Sequence, residues 1–219
     1  RKAVGILQIG IPSAFQYSLF AFANLFVQSS VNSFDHILVE GNSAAANADP
    51  LVYDMMAAFY TACSSFIAQN FGARKKKRIL QTYLICLFYS FITSLVLGVG
   101  IYLARYPFLY LFTSDKAVVE AGITRLSIMA LSYSASAFMD ASIAASRGLG
   151  KTAVPTFVVV MGSCVFRIIW IYTIFAYFHT IQSLYILYVF SWGITAIAEN
   201  IYFFHVYRHT LTGKTESHL

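Results

Sequence analysis

The sequence predicts an all-α membrane protein with six transmembrane helices. Two observations point there. Hydrophobic residues make up 58% of the 219-residue chain, and Asp, Glu, Lys and Arg only 11%. A soluble domain carries about 25% charged residues, so this chain cannot cover a water-facing surface. The apolar residues also fall into six runs, each at least the roughly 20 residues that cross hydrocarbon as a helix, with polar or Gly/Pro-containing breaks between them.

The first run covers 4–31 and ends where Phe34, Asp35 and His36 bring in charge. The second covers 42–70. Inside it Pro50 removes a backbone hydrogen bond, which suits a bent helix beside a cavity and equally a purely structural kink. The loop from Gly72, with the five basic residues 74–78, cannot enter hydrocarbon and closes this run. The third covers 80–104 and is expected to stop near Tyr106-Pro107, because the residue before proline is pushed out of the α region. Ser114 and Asp115 supply an N-cap and a first-turn acid for the fourth, 118–146. Gly148, Gly150 and then Pro155 separate it from the fifth, 153–178. The sixth covers 182–207.

Basic residues set the orientation. Arg1, Lys2, the run 74–78, Arg147, Lys151, Arg208 and Lys214 lie on one side, against only Arg105 and Lys116 on the other. The positive-inside rule then puts both termini in the cytoplasm. Residues 1–208 form one six-span lobe and 209–219 a polar cytoplasmic tail. Arg1-Lys2 lead straight into an apolar helix without a Met, as in the interior of a longer polypeptide or a trimmed domain. Tyr102, Tyr106, Tyr110, Tyr172 and Trp192 suit interfacial belts. Cys63, Cys86 and Cys164 sit in apolar runs without metal-ligand spacing and are expected as small buried hydrophobes.

Two motifs mislead. Residues 145–152 (Ala-Ser-Arg-Gly-Leu-Gly-Lys-Thr) approximate a phosphate loop, but that chemistry needs a preceding strand. A membrane helix precedes them, so a tight turn with Arg147 and Lys151 anchored at headgroups is expected. The basic run 74–78 sets topology and touches anionic lipid rather than nucleic acid. None of His36, His179, His205, His209 and His218 forms a metal-binding helical pair. With no nucleophile–base pair or metal set, no enzyme activity, metal site or cofactor is expected.

Charge inside the spans is the functional signal, because it is costly in hydrocarbon and tends to face a wet cavity. Asp54, Asp140, Arg167 and Glu199 qualify; Asp49 and Arg125 lie nearer an outer boundary. At about 1.5 Å per residue, Asp140 and Glu199 are roughly 10 and 13 Å from the cytoplasmic ends of their spans and share a level. An Asp54–Arg167 pair is geometrically possible. Arg167 reads as a structural counter-ion, and Asp140 either as an ion or proton carrier or as a neutral acid bonded to Ser136. The first span has no acid; its polar groups Gln8, Ser13, Gln16, Ser18, Gln28, Ser29, Ser30 and Asn32 either join helices or line a cavity.

Several pieces in order resemble one family. Gly10-Ile11-Pro12 and residues 28–34 (Gln-Ser-Ser-Val-Asn-Ser-Phe) come first. Residues 41–47 (Gly-Asn-Ser-Ala-Ala-Ala-Asn) and 65–73 (Ser-Phe-Ile-Ala-Gln-Asn-Phe-Gly-Ala) with the basic loop follow. Residues 147–152 with Pro155, and Arg167-Ile168-Ile169-Trp170, complete the set. Together they resemble the C-terminal half of multidrug and toxic compound extrusion (MATE) transporters over about 2–208. The resemblance implies one lobe of a twelve-helix antiporter in a bacterial inner membrane, its N-terminal six-helix half missing here. Such transporters export small organic, often cationic, drugs and toxic compounds in exchange for Na+ or H+, in contact with membrane lipids. Because intramembrane acids mark ion pathways, the coupling candidates are Asp140, Glu199 and Asp54. The substrate-cavity candidates are Gln28, Asn32, Asn42, Tyr53, Tyr133, Ser136 and Arg167. The family often has an acid seven residues before the Arg-Gly turn, which is Asp140 here. The chain departs from the pattern at Asp35 and Pro50, both usually Gly. It also lacks the first-span acid that some members use, so Na+ and H+ both stay open. The alternative is a related flippase for lipid-linked oligosaccharides or other amphiphiles.

Overall fold

A computed structural model describes residues 2–210, with the side chains of residues 2–9, 12 and 13 outside the described set. Arg1, Lys214 and the tail beyond Thr210 therefore lie outside it, as do the side chains of Lys2, Gln8 and Ser13. The described chain is helical throughout. We label α1 (Lys2–Val31), α2 (His36–Ala46), α3 (Ala48–Gly72), α4 (Lys76–Leu103), α5 (Arg105–Tyr110), α6 (Lys116–Gly148), α7 (Ala153–Phe178) and α8 (Ile181–His209). Five stretches are long and apolar enough to cross a membrane: α2 with α3, α4, α6, α7 and α8. At 30 residues, α1 is as long as these. Helices suit this setting because every backbone group is satisfied within its own segment.

The breaks follow local chemistry. Asp35 caps α2 by accepting from the Leu38 amide at 2.9 Å. The second span divides at Asn47, not at Pro50. Pro50 sits in the first turn of α3, where no helical partner for its missing N–H is needed. Asn47 donates its side-chain amide to the carbonyls of Ser43 and Ala44, both at 3.1 Å. The third span likewise ends at Ala104, and Pro107 is tolerated in the first turn of the short α5. Asp115 itself, rather than Ser114, is the N-cap of α6, accepting from the Ala117 amide at 2.8 Å. After α6 the chain turns through Gly150 at φ +75°, a left-handed conformation that glycine adopts without strain. Helix, not strand, precedes this turn.

The central helix is α6, which packs against α2, α3, α4 and α8. Small residues make that possible. Ala130, Ser132, Ser136, Ala137, Ala141 and Ser142 are all buried along it, and small side chains let helix backbones approach where lipid provides no hydrophobic drive. At the α4 crossing, a Cβ on Gly98 would strike the Ala130 carbonyl oxygen. The largest cluster joins α3, α6, α7 and α8 through Val52, Met56, Met129, Tyr133, Val159 and Trp192. Trp192 is thus buried, not in an interfacial belt, whereas Tyr102, Tyr106, Tyr110 and Tyr172 are exposed. Cys63 and Cys164 are buried and Cys86 half-buried, all as free thiols.

One helix departs from α geometry. In α7, residues Val160–Val165 and Ile171–Phe175 are π-helical and bracket a short α stretch, Phe166–Trp170. Such wide turns recur at functional sites, and Arg167 lies between these two.

Candidate functional site

A cavity of about 750 Å³ opens between α1, α2, α3, α6, α7 and α8. Ligand pockets span about 300–1,000 Å³. Three arginines and three aspartates reach its wall: Arg125, Arg147, Arg167, Asp49, Asp54 and Asp140. Aromatic side chains fill much of the rest, among them Phe20, Tyr53, Tyr60, Tyr188 and Trp192.

Towards the α2 end, Arg125 and Asp49 form a salt bridge at 2.5 Å, the sole ion pair among the described residues. A second Arg125 nitrogen donates to Asn42 Oδ1 at 2.6 Å, and Tyr133 donates its hydroxyl to Asp49 Oδ1 at 2.5 Å. Arg125 is buried and faces the Tyr185 ring at 5.8 Å. Burying a charge is costly unless it is paired and hydrogen-bonded, and Arg125 is both.

Arg167 occupies a different setting. It is 1% exposed. Its Nη1 donates to Asn24 Oδ1 at 2.8 Å and its Nε to Ser191 Oγ at 3.3 Å. The guanidinium lies over the Phe20 ring at 5.0 Å and the Tyr188 ring at 4.6 Å. No carboxylate pairs with it, so the possible Asp54–Arg167 bridge does not form. Asp54 lies on the cavity wall and is exposed.

Arg147 ends α6 at the other end of the cavity, about 33 Å along the helix from Arg125. Expected at headgroups, it instead turns to the cavity and donates to Gln16 Oε1 at 2.8 Å. Its charge acts on Asp140 and also on Glu199, and the charge of Asp140 acts on Glu199. Only Asp140 reaches the cavity. Glu199 is fully buried, and neither of its carboxylate oxygens has a hydrogen-bond partner.

The remaining candidates divide. Gln28, Asn42 and Tyr53 line the cavity, whereas Asn32, Tyr133 and Ser136 do not. Asn32 accepts from Gln28 Nε2 at 2.9 Å. Ser136 donates to the Tyr133 carbonyl at 2.8 Å rather than to Asp140. Sequence reasoning left Gln16 open between joining helices and lining a cavity, and did not place Asn24, Asp49, Arg125 or Arg147 on the wall. Asn42 and Asp49, seven residues apart on either side of the α2–α3 break, were the available signal for a polar cluster there. Among the described residues no group of three or more His, Cys, Asp and Glu could hold a metal ion.

This architecture has relatives among solved structures. An outward-facing multidrug resistance MATE family transporter of the MOP superfamily superposes with a TM-score of 0.88 at 19% identity, over 97% of this chain and 48% of that one. The Vibrio cholerae MATE transporter VcmN in its bent form gives 0.84 at 18%, over 94% and 47%. A MOP superfamily transporter from Pyrococcus furiosus, described as having a binding pocket of reversed polarity, gives 0.77 at 21%, over 97% and 47%. These likenesses concern the fold, and the chain spans about half the length of each. No curated protein matches significantly. The MatE family model matches residues 12–173, well over half of the chain. By that match and by its helical fold, the chain belongs to the MatE family of multi-pass membrane transport proteins.

Proposed function

We propose that this chain is the C-terminal six-helix lobe of a twelve-helix antiporter that exports small organic compounds in exchange for Na+ or H+. Residues 1–208 form the lobe and 209–219 a cytoplasmic tail, with both ends in the cytoplasm of an inner-membrane protein. The supporting observation is the cavity of about 750 Å³, whose wall mixes aromatic rings with exposed and half-buried acids. In alternating access, such a cavity lies at the interface with the second lobe. Asp140, neighboured by Glu199 and Arg147, is the foremost coupling carboxylate, and Asp54 a rim acid that would meet a cationic substrate. Gln28, Asn42, Tyr53 and Arg167 contribute substrate contacts; Asn32, Tyr133 and Ser136 support them from behind.

The three arginines on the wall favour a second reading, a flippase for an amphiphile with an anionic head. Export separates the two. Joined to an N-terminal half, the protein should expel ethidium from energised cells, and Asp140→Asn should impair this while membrane insertion is unchanged. Undiminished efflux in the variant removes Asp140 from the mechanism. Absence of efflux with normal insertion removes the drug-export reading.

A further inference from the structure

The arginines of the cavity are not equivalent. Arg125 is neutralised by Asp49 at 2.5 Å. The charge of Arg147 acts on Asp140 and Glu199. Arg167 has no such counter-charge: the titratable groups that act on it are Tyr188, Tyr53 and Cys164, none of them a carboxylic acid. Its hydrogen-bond partners, Asn24 and Ser191, are neutral. Its Nη2 is buried without any partner. A guanidinium stays charged in proteins, and burying a charge without a counter-ion is costly. Among the described residues, therefore, Arg167 is a desolvated cation without a neutralising group.

The geometry narrows what that group is. The guanidinium lies over the Phe20 and Tyr188 rings, 5.0 and 4.6 Å from their centroids. Nε and Nη1 are engaged by Ser191 and Asn24. What remains is Nη2, whose N–H bonds lie in the guanidinium plane, where carboxylate and phosphate oxygens are met. Rings around this point, including Tyr53 and Trp192 on the same wall, suit a flat apolar body attached to the anionic group.

Resting on the reading of this cavity as the substrate path, we propose that Arg167 is its anion-recognition point. It receives one oxygen of the carboxylate, sulfonate or phosphate of a soluble aromatic organic acid. A positive group elsewhere on the same molecule is compatible with the exposed Asp54.

Binding tests this without transport. The chain is placed in phosphatidylcholine nanodiscs and titrated with dansylglycine and with dansylglycinamide, which differ by one negative charge. Energy transfer from Trp170 and Trp192, the two tryptophans of the chain, reports binding. Dansylglycine should bind at least tenfold more tightly, and Arg167→Gln should erase the difference. Equal affinities in the unaltered chain, or no binding of either probe, overturn the proposal without recourse to a variant that fails to fold. The same titration in discs containing phosphatidylglycerol distinguishes the source of the anion. An unchanged preference supports a soluble acid, and its loss assigns the site to a lipid phosphate and overturns the proposal. Selective binding by a protein that exports nothing would sink the transport reading and leave the anion site standing. Export without the preference would do the reverse.

Discussion

Replacing Asp49 by Ala should destabilise the lobe more than any change on its lipid-facing surface. The Arg125 side chain is 8% exposed and that of Asp49 27%. Without Asp49, Arg125 keeps Asn42 Oδ1 and the Tyr185 ring, while its Nε has no partner even in the intact cluster. Tyr133 loses its acceptor at the same time. Breaking a buried pair from one side costs about 3–5 kcal/mol. Because Asp49 faces a cavity that water can enter, we expect the lower end, about 3 kcal/mol. Arg125→Met combined with Asp49→Ala should recover much of this, since an apolar replacement of both partners is often neutral. The assay is a double-mutant cycle of SDS-induced unfolding in mixed micelles, followed by circular dichroism. A coupling of about 2 kcal/mol is expected, within the range for contacting residues. Single changes that add within about 0.5 kcal/mol would show the pair to be energetically idle and the reasoning wrong.

Two further predictions concern packing. Gly98→Ala should cost about 1–3 kcal/mol, as overpacking does, because its Cβ would meet the Ala130 backbone. Gly100→Ala, with nothing within 4 Å of the new carbon, should be neutral or stabilise by about 0.5–1 kcal/mol. Thermal unfolding in detergent compares them, and an equal loss in both would refute the close-contact account. Tyr83→Phe removes hydrogen bonds to Ser142 at 2.9 Å and Asn200 at 2.6 Å. It should cost about 1 kcal/mol or somewhat more, read by the same melt, and an unchanged melting temperature would count against that network.

Much of the fold was legible because hydrophobicity and charge set where a chain enters and leaves hydrocarbon. The bounds expected for α7 and α8, 153–178 and 182–207, lie within two residues of those observed. Breaks inside a span were harder. Pro50 and Pro107 drew attention to themselves, yet the helices part a few residues earlier, since proline fits a first turn. Asn47, three residues before Pro50, carried the better signal for a helix end. The site was only half legible. Depth along a helix follows from residue count, and it gives Asp140 and Glu199 a common level. Which side chains meet across helices depends on rotation about each axis, which a lone sequence does not give. Thus Asn24 for Arg167 and Gln16 for Arg147 could not be anticipated. The pairing of Arg125 with Asp49 was out of reach for the same reason.

The wide turns of α7 make the aim of Arg167 a matter of counting rather than of chemistry. A π turn holds one residue more than an α turn in the same axial space. Removing a single residue from 160–165 would let that stretch relax to ordinary α geometry. Because the wide turn itself absorbs the extra residue, everything beyond it would keep its rotational phase and Arg167 its aim. A deletion in the α stretch Ala153–Val159 would instead rotate everything beyond it by about 100° relative to the start of the helix, and the guanidinium would swing away from Asn24 and Ser191. The length of α7 can therefore change by one residue at its wide turns, and not in its α stretches, without turning the cation out of the cavity.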